Sequence, residues 1–405
     1  MTWIKRELTD LSARSLRREL RCIDKIDKAR LIISGKTYVN FSSNNYLGLA
    51  THPKVIEAVR EAAVIWGAGA TASRLISGST AIHSRLERAL AGFLKKEAAL
   101  LFPSGYMANL SVVTSLAGQG DAVIADRLNH ASLIDAVRLS GARLFVYEHS
   151  DPVSAEKALI RARSYRRRLL MTDGLFSMDG DFAPLKELSS LCRRYDAVGM
   201  VDDAHALGIW GDEGRGVASL LDTEWLLVGT LSKALGSQGG FVCASSPVID
   251  LLVNRARPFI FSTGLSPLCV AAALQALSLI QEDAGPRERV KELSMILRNG
   301  LKKRGWNMLG SESQIIPVLI GETGKTLETA ERLMQAGIYA PAIRPPTVHS
   351  GECRIRFSVT ADHTEADVYR LMEVLDKPLP PLRGKGGMGG NPPPPSSPSR
   401  REEVR

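Results

Sequence analysis

The 405-residue sequence lacks the cysteine and histidine spacings that build disulfide frameworks or metal sites. Its five cysteines, at positions 22, 192, 243, 269 and 353, form no CxxC pair, and its seven histidines include no HExxH, so no zinc site is indicated. Reduced, buried thiols are the expectation. The chain has no apolar run long enough for a membrane span: the longest candidate, Leu265 to Ile280, is interrupted by Ser266, Pro267, Gln275 and Ser278. A signal-peptide pattern is missing too, since Lys5, Arg6, Glu7 and Asp10 fall where an apolar segment would lie; a cytoplasmic protein is expected.

The net charge of +9 is unevenly spread. Residues 1–36 carry ten Lys/Arg against five Asp/Glu and residues 378–405 carry five against two, which leaves +1 for residues 37–377. A nearly neutral body without groove-reading motifs argues against nucleic-acid binding. Two Gly-Lys-Thr triplets, at 35–37 and 324–326, are not P-loops, because Arg30 and Leu319 stand where the first glycine is required. The run Gly67-Ala-Gly-Ala-Thr-Ala72 follows a helical pattern rather than a strand, so it reads as a bend and not as a dinucleotide fingerprint. The Arg161–Arg168 cluster reads as the solvated end of a helix.

With 44% hydrophobic residues, the chain can bury a large core in two or three domains. Residues 1–45 read as an arm: an amphipathic helix marked by Leu8, Leu11, Leu16 and Leu20, then a hairpin of 31–33 and 37–41. From 46 to 283, short apolar runs at 98–102, 122–125, 144–147, 169–172, 198–201, 226–229 and 241–244 alternate with helical patterns. That is the signature of an α/β domain with a mostly parallel sheet flanked by helices. Residues 284–377 read as a smaller C-terminal α/β domain. Residues 378–405, with eight prolines and five glycines, read as a disordered tail.

Ligands of open α/β sheets bind at the carboxyl ends of the strands. Asp202 and His205 follow one strand, Ser177 another, and Lys233 follows the strand ending at Thr230. A lysine after a strand is most often a solvated cap, and a lone histidine most often a satisfied interior residue. Their combination suits a pyridine aldehyde: a carboxylate for the ring nitrogen (Asp202), a hydrogen bond to the phenolic oxygen (His205), an amine for a Schiff base (Lys233) and a phosphate cradle at Ser104-Gly105-Tyr106. His130 is then placed to stack on the ring.

Seven ordered stretches, at 40–49, 102–109, 126–132, 176–180, 201–205, 230–233 and 261–263, resemble the α-oxoamine synthase family over roughly residues 1–377. The resemblance implies an aspartate-aminotransferase-like fold, pyridoxal 5'-phosphate (PLP) as cofactor and a homodimer with shared active sites. Lys233, His130, Asp202 and His205 are then catalytic. Gly105, Tyr106, Ser177, Thr230 and, from the partner subunit, Thr263 would contact the cofactor. Residues 342–348 resemble the branch that joins L-alanine to a pimeloyl thioester, of CoA or of a carrier protein, in biotin biosynthesis; His349 departs from the proline common there. The family would place Asn44 and Arg344 on the substrate carboxylate, Thr347 on substrate and Arg17, or Arg18 beside it, on the acyl group. The alternatives are a sister synthase using glycine or serine, an aminotransferase, and a binding protein without activity.

Overall fold

Strands buried on both faces are continuous apolar runs, and such runs build the centre of this molecule. A computed structural model describes residues 1–221 and 225–376; the expected tail lies outside the described residues. The strands are β1 (Lys25–Asp27), β2 (Arg30–Ile33), β3 (Lys36–Asn40), β4 (Ala98–Phe102), β5 (Ala122–Asp126), β6 (Arg143–Tyr147), β7 (Arg168–Asp173), β8 (Val198–Asp202), β9 (Leu226–Thr230), β10 (Gly240–Ala244), β11 (Ile315–Gly321), β12 (Ile338–Tyr339), β13 (Ala342–Ile343) and β14 (Cys353–Ser358).

The central sheet has the order β4-β10-β9-β8-β7-β5-β6, with β10 antiparallel to both neighbours and every other pairing parallel. Alternate residues enter two cores. Leu101, Ile124, Leu170, Val201 and Leu227 face helices Pro53–Trp66, Ala81–Phe93 and Pro267–Glu282, while Leu100, Val123, Met171, Met200 and Val228 face helices Gly105–Leu116, Ala131–Ser140 and Ser246–Arg255. Each such side chain stabilises the fold by roughly 1.5–3 kcal/mol. With six strands running one way, the carboxyl ends of β5, β7, β8 and β9 meet at one edge, and the site is built there.

A third core surrounds the sheet β11-β14-β13, packed with helices Gly285–Lys303, Thr323–Gln335 and Glu365–Asp376. The N-terminal hairpin joins this region, because β3 pairs in parallel with β12. The N-terminal helix, Thr2–Ala13, stops short of Leu16 and Leu20. Ser15 adopts a left-handed conformation (φ 57°), and the amide of Leu16 turns back to the Leu11 carbonyl, which ends the helix. The arginines after residue 161 are also not simply solvated: Arg166 and Arg167 both clamp the buried Asp121, whose pKa their hydrogen bonds hold below the usual carboxylate range despite burial.

Candidate active site

Helix Gly105–Leu116 starts directly after β4. Ser104 caps it by accepting the Met107 amide (3.2 Å), and the first-turn amides of Gly105 and Tyr106 have no intrahelical partner. The start of β10 presses on this turn so closely that a Cβ on Gly240 would sit 2.5 Å from the Gly105 nitrogen. Across the turn, a Cβ on Gly105 would meet Thr230 at 3.5 Å. The Thr230 hydroxyl is tied to Ser232 Oγ (2.7 Å) and to the Gly239 carbonyl (2.8 Å). Open amides and hydroxyls thus share one small cradle. The Tyr106 side chain points elsewhere, donating to Asp135 at 2.5 Å.

Asp202, at the end of β8, is buried and held from both sides: Oδ2 accepts from Asn109 (2.7 Å), one turn into the helix, and Oδ1 accepts the Ala204 amide (3.0 Å). In register on β7 lies Asp173, which accepts the His130 amide at 2.7 Å. Burial first, and the Asp202 charge second, push Asp173 well above the usual carboxylate range. The neighbouring Asp203 faces away, accepting the Ala218 amide (2.9 Å), and burial raises its pKa to about 7.

Lys233 feels Asp202, Asp173 and Arg356. Burial lowers its pKa to about 8 against the pull of the two acids, so a useful fraction is neutral near physiological pH. His205 Nδ1 lies 2.7 Å from the Tyr46 hydroxyl, and its carbonyl accepts from Gln314 (2.8 Å). Burial, then the charges of Lys233, Arg356 and His130, hold this imidazole neutral, far below its ordinary pKa. His130 caps helix Ala131–Ser140, with Nδ1 2.8 Å from Ser132 Oγ; burial lowers its pKa as well. These electrostatic couplings bring Lys233, Asp202, His205 and His130 close to one another.

The arginine on Asn44 differs from the expected one. Among the described residues no hydrogen bond joins Arg344 to Asn44; Arg344 instead donates to the Arg17 carbonyl (2.7 Å), while Arg18 donates to the carbonyls of Arg344 (3.3 Å) and Pro345 (2.8 Å). Arg17, Arg18 and Arg344 line a groove of about 820 Å³, and Thr347 is exposed nearby in sequence. Arg356, buried on β14, meets Asn44 Oδ1 and the Tyr46 hydroxyl, each at 3.4 Å, and its Nε donates to the Ser177 carbonyl. Arg354 secures the same loop at the Met178 carbonyl (3.3 Å) and Asp179 (2.8 Å). Sequence reasoning missed Arg356, Tyr46, Asp173 and Asn109. The usable signal was Arg354-Ile-Arg356-Phe357: two arginines in a strand otherwise fit for burial need partners. Thr263 is exposed and bridges Ser73, close in sequence to Phe261 (71% exposed), Leu75 and Ile76 (81%).

An aspartate side chain held by two N–H donors, a neutral histidine, a lysine of lowered pKa and a cradle of open amides fit a phosphorylated pyridine aldehyde. Among the described residues no cluster could hold a metal ion. Fold and site together define an enzyme of the aminotransferase type. The chain belongs to the aminotransferase class I and II family, whose model matches residues 36–375. It is 45% identical over 374 residues to the 8-amino-7-oxononanoate synthase of Geobacter sulfurreducens, covering 91% of this chain and 96% of that one. It is 43% identical to 8-amino-7-oxononanoate synthase 2 of Bacillus subtilis, covering 92% and 96%. A serine palmitoyltransferase from S. paucimobilis, solved with bound PLP–myriocin aldimine, superposes with a TM-score of 0.87 at 30% identity, over 92% of this chain and 95% of that one.

Proposed function

We propose that this chain binds PLP at Lys233 and joins L-alanine to a pimeloyl thioester, releasing 8-amino-7-oxononanoate, carbon dioxide and the free thiol. The proximity of Lys233, Asp202, His205 and Arg356 at the carboxyl edge of the central sheet carries the reading, and the 45% identity to an 8-amino-7-oxononanoate synthase supports it. When bound, PLP supplies an electron sink for the charge left at the amino-acid α-carbon. Asp202, oriented by Asn109 and Ala204, would hold the proton on the ring nitrogen. His205 stays neutral, and with Nδ1 engaged by Tyr46 its Nε2 would be the nitrogen to meet the ring oxygen of the cofactor. The neutral fraction of Lys233 takes the α-proton and later returns one. His130 would cover the ring.

Arg356, rather than Arg344, is the cation paired with Asn44, so we assign the amino-acid carboxylate to Arg356 and Asn44. Arg344, Arg17 and Thr347 remain for the acyl thioester. Arg356→Lys is expected to raise KM for alanine about a hundredfold, the loss of one planar, charge-assisted contact, while Arg344→Ala changes KM chiefly for the thioester. Steady-state kinetics with each substrate varied in turn check this. The opposite pattern would return the carboxylate to Arg344.

The exposed apolar side chains flanking Ser73 and Thr263 support a homodimer in which Thr263 reaches the partner subunit's cofactor. The substrate assignment is tested by incubating the protein with alanine, glycine or serine and acetyl, succinyl, palmitoyl or pimeloyl thioesters, with mass detection of products. The highest kcat/KM for alanine with pimeloyl thioester is expected; a higher value for another pair would place the chain with a sister activity.

A further inference from the structure

Two loops at the carboxyl edge of the central sheet carry His130 and Ser177. The first leaves β5 at Asp126 and carries His130; the second, residues 176–182, follows β7 and carries Ser177. Between them stands His149, two residues beyond β6. Its Nδ1 lies 3.0 Å from Asp126 Oδ1 and its Nε2 lies 2.8 Å from Asp181 Oδ2. Asp126 is buried and also accepts the amides of Leu128 and Ser150, each at 2.8 Å, so it fixes the turn leading to His130. Asp181 accepts the Phe176 amide through its carbonyl (3.0 Å), and the Phe176 ring packs edge-on against the imidazole at 4.4 Å.

Each nitrogen of this ring faces a carboxylate, and only the imidazolium can donate from both. Burial disfavours that charge, but the hydrogen bonds and charges of Asp126 and Asp181 outweigh it and raise the pKa to about 10. Asp126 also acts on Asp173 and on the Tyr147 hydroxyl, its charge helping to raise both, and the exposed Arg127–Glu148 pair flanks the bridge. Among the described residues, the imidazole's own hydrogen-bond and ring partners are the two acids and Phe176.

We propose that His149 is a positioning residue: as a cationic bridge between Asp126 and Asp181 it sets the spacing between the His130 loop and the Ser177 loop. The bridge concerns the chain's own loops and relies on the function proposed above only for what the loops hold. Glutamine at 149 cannot donate to both acids, so one carboxylate loses its partner and the loops lose their common anchor. The folded-state pKa is raised above the unfolded value near 6.5. The stabilisation is therefore complete below about pH 6.5, declines as pH rises, and is gone above about pH 10.

Chemical denaturation of the cofactor-free chain is compared for wild type, His149→Gln, Asp181→Asn and the double variant at pH 6 and pH 10.5. At pH 6 each single variant is expected to unfold at lower denaturant, and the double variant no earlier than the worse single. At pH 10.5 wild type and His149→Gln should coincide. Equilibrium dialysis with PLP is expected to give a dissociation constant about tenfold higher for His149→Gln, the scale of one lost charge-assisted contact. Additive losses, or a wild-type advantage that persists at pH 10.5, would overturn the bridge; an unchanged PLP affinity in folded His149→Gln would overturn the positioning role. If His149→Gln does not fold, Asp181→Asn carries both measurements. Failure of the wild type to bind PLP would count against the function proposed above, leaving the denaturation result to decide the bridge.

Discussion

Lys233→Ala is expected to lower turnover about 10⁴-fold, the upper range for removing a group that serves both as nucleophile and as proton carrier. Lys233 is suited to both roles because burial brings its pKa to about 8, while Asp202 and Asp173 keep it from falling further. The wild type, loaded with PLP and reduced with borohydride, should carry the covalent adduct on Lys233 alone, as read by peptide mass mapping. An adduct on another lysine, or substantial turnover by the alanine variant, would remove Lys233 from the mechanism.

Asp202→Asn ranks second, with an expected loss of about 10²- to 10³-fold in kcat and a far smaller change in PLP affinity. The carboxylate accepts from Asn109 on one oxygen and from the Ala204 amide on the other. An asparagine in its place sets a donor against a donor on one side, and it cannot hold a proton on the facing ring nitrogen. Asp203→Asn is the matched control, since Asp203 points to Ala218 and should affect stability more than turnover. Stopped-flow absorbance with alanine, together with kcat for both variants, separates the two acids. Equal losses would mean that the distinction between them is wrong.

The strands of the central sheet were legible because burial on both faces leaves an unbroken apolar run, and the first polar residue after it stands out. Asp202, His205 and Lys233 were singled out in that way, while Thr230 entered through the family resemblance. Arg356 was not, for a physical reason. Arg354-Ile-Arg-Phe alternates like a strand with one wet face, and what buries its polar side is the 176–182 loop, which lies far away in sequence. Arg344 received the carboxylate role from the family resemblance, whereas here it donates to the Arg17 carbonyl of the N-terminal arm. Tyr46 and Asn109 act by orienting other side chains, and a group whose role is a hydrogen bond to a distant residue leaves no local pattern. The short β12 and β13 were invisible too, because two residues give no periodicity.

The pairing of β3 with β12 has a consequence for synthesis of the chain. Val39 opposes Ile338, so the hairpin leaves the ribosome roughly 300 residues before the strand that completes its sheet. At about 5–20 residues per second, that is a wait of roughly 15 to 60 seconds. The central sheet can form in that time, since its seven strands draw only on residues 98–244. The nascent chain therefore passes through a stage with a finished central sheet and an N-terminal hairpin whose β3 edge is still bare, and the emergence of β12 is what ends it.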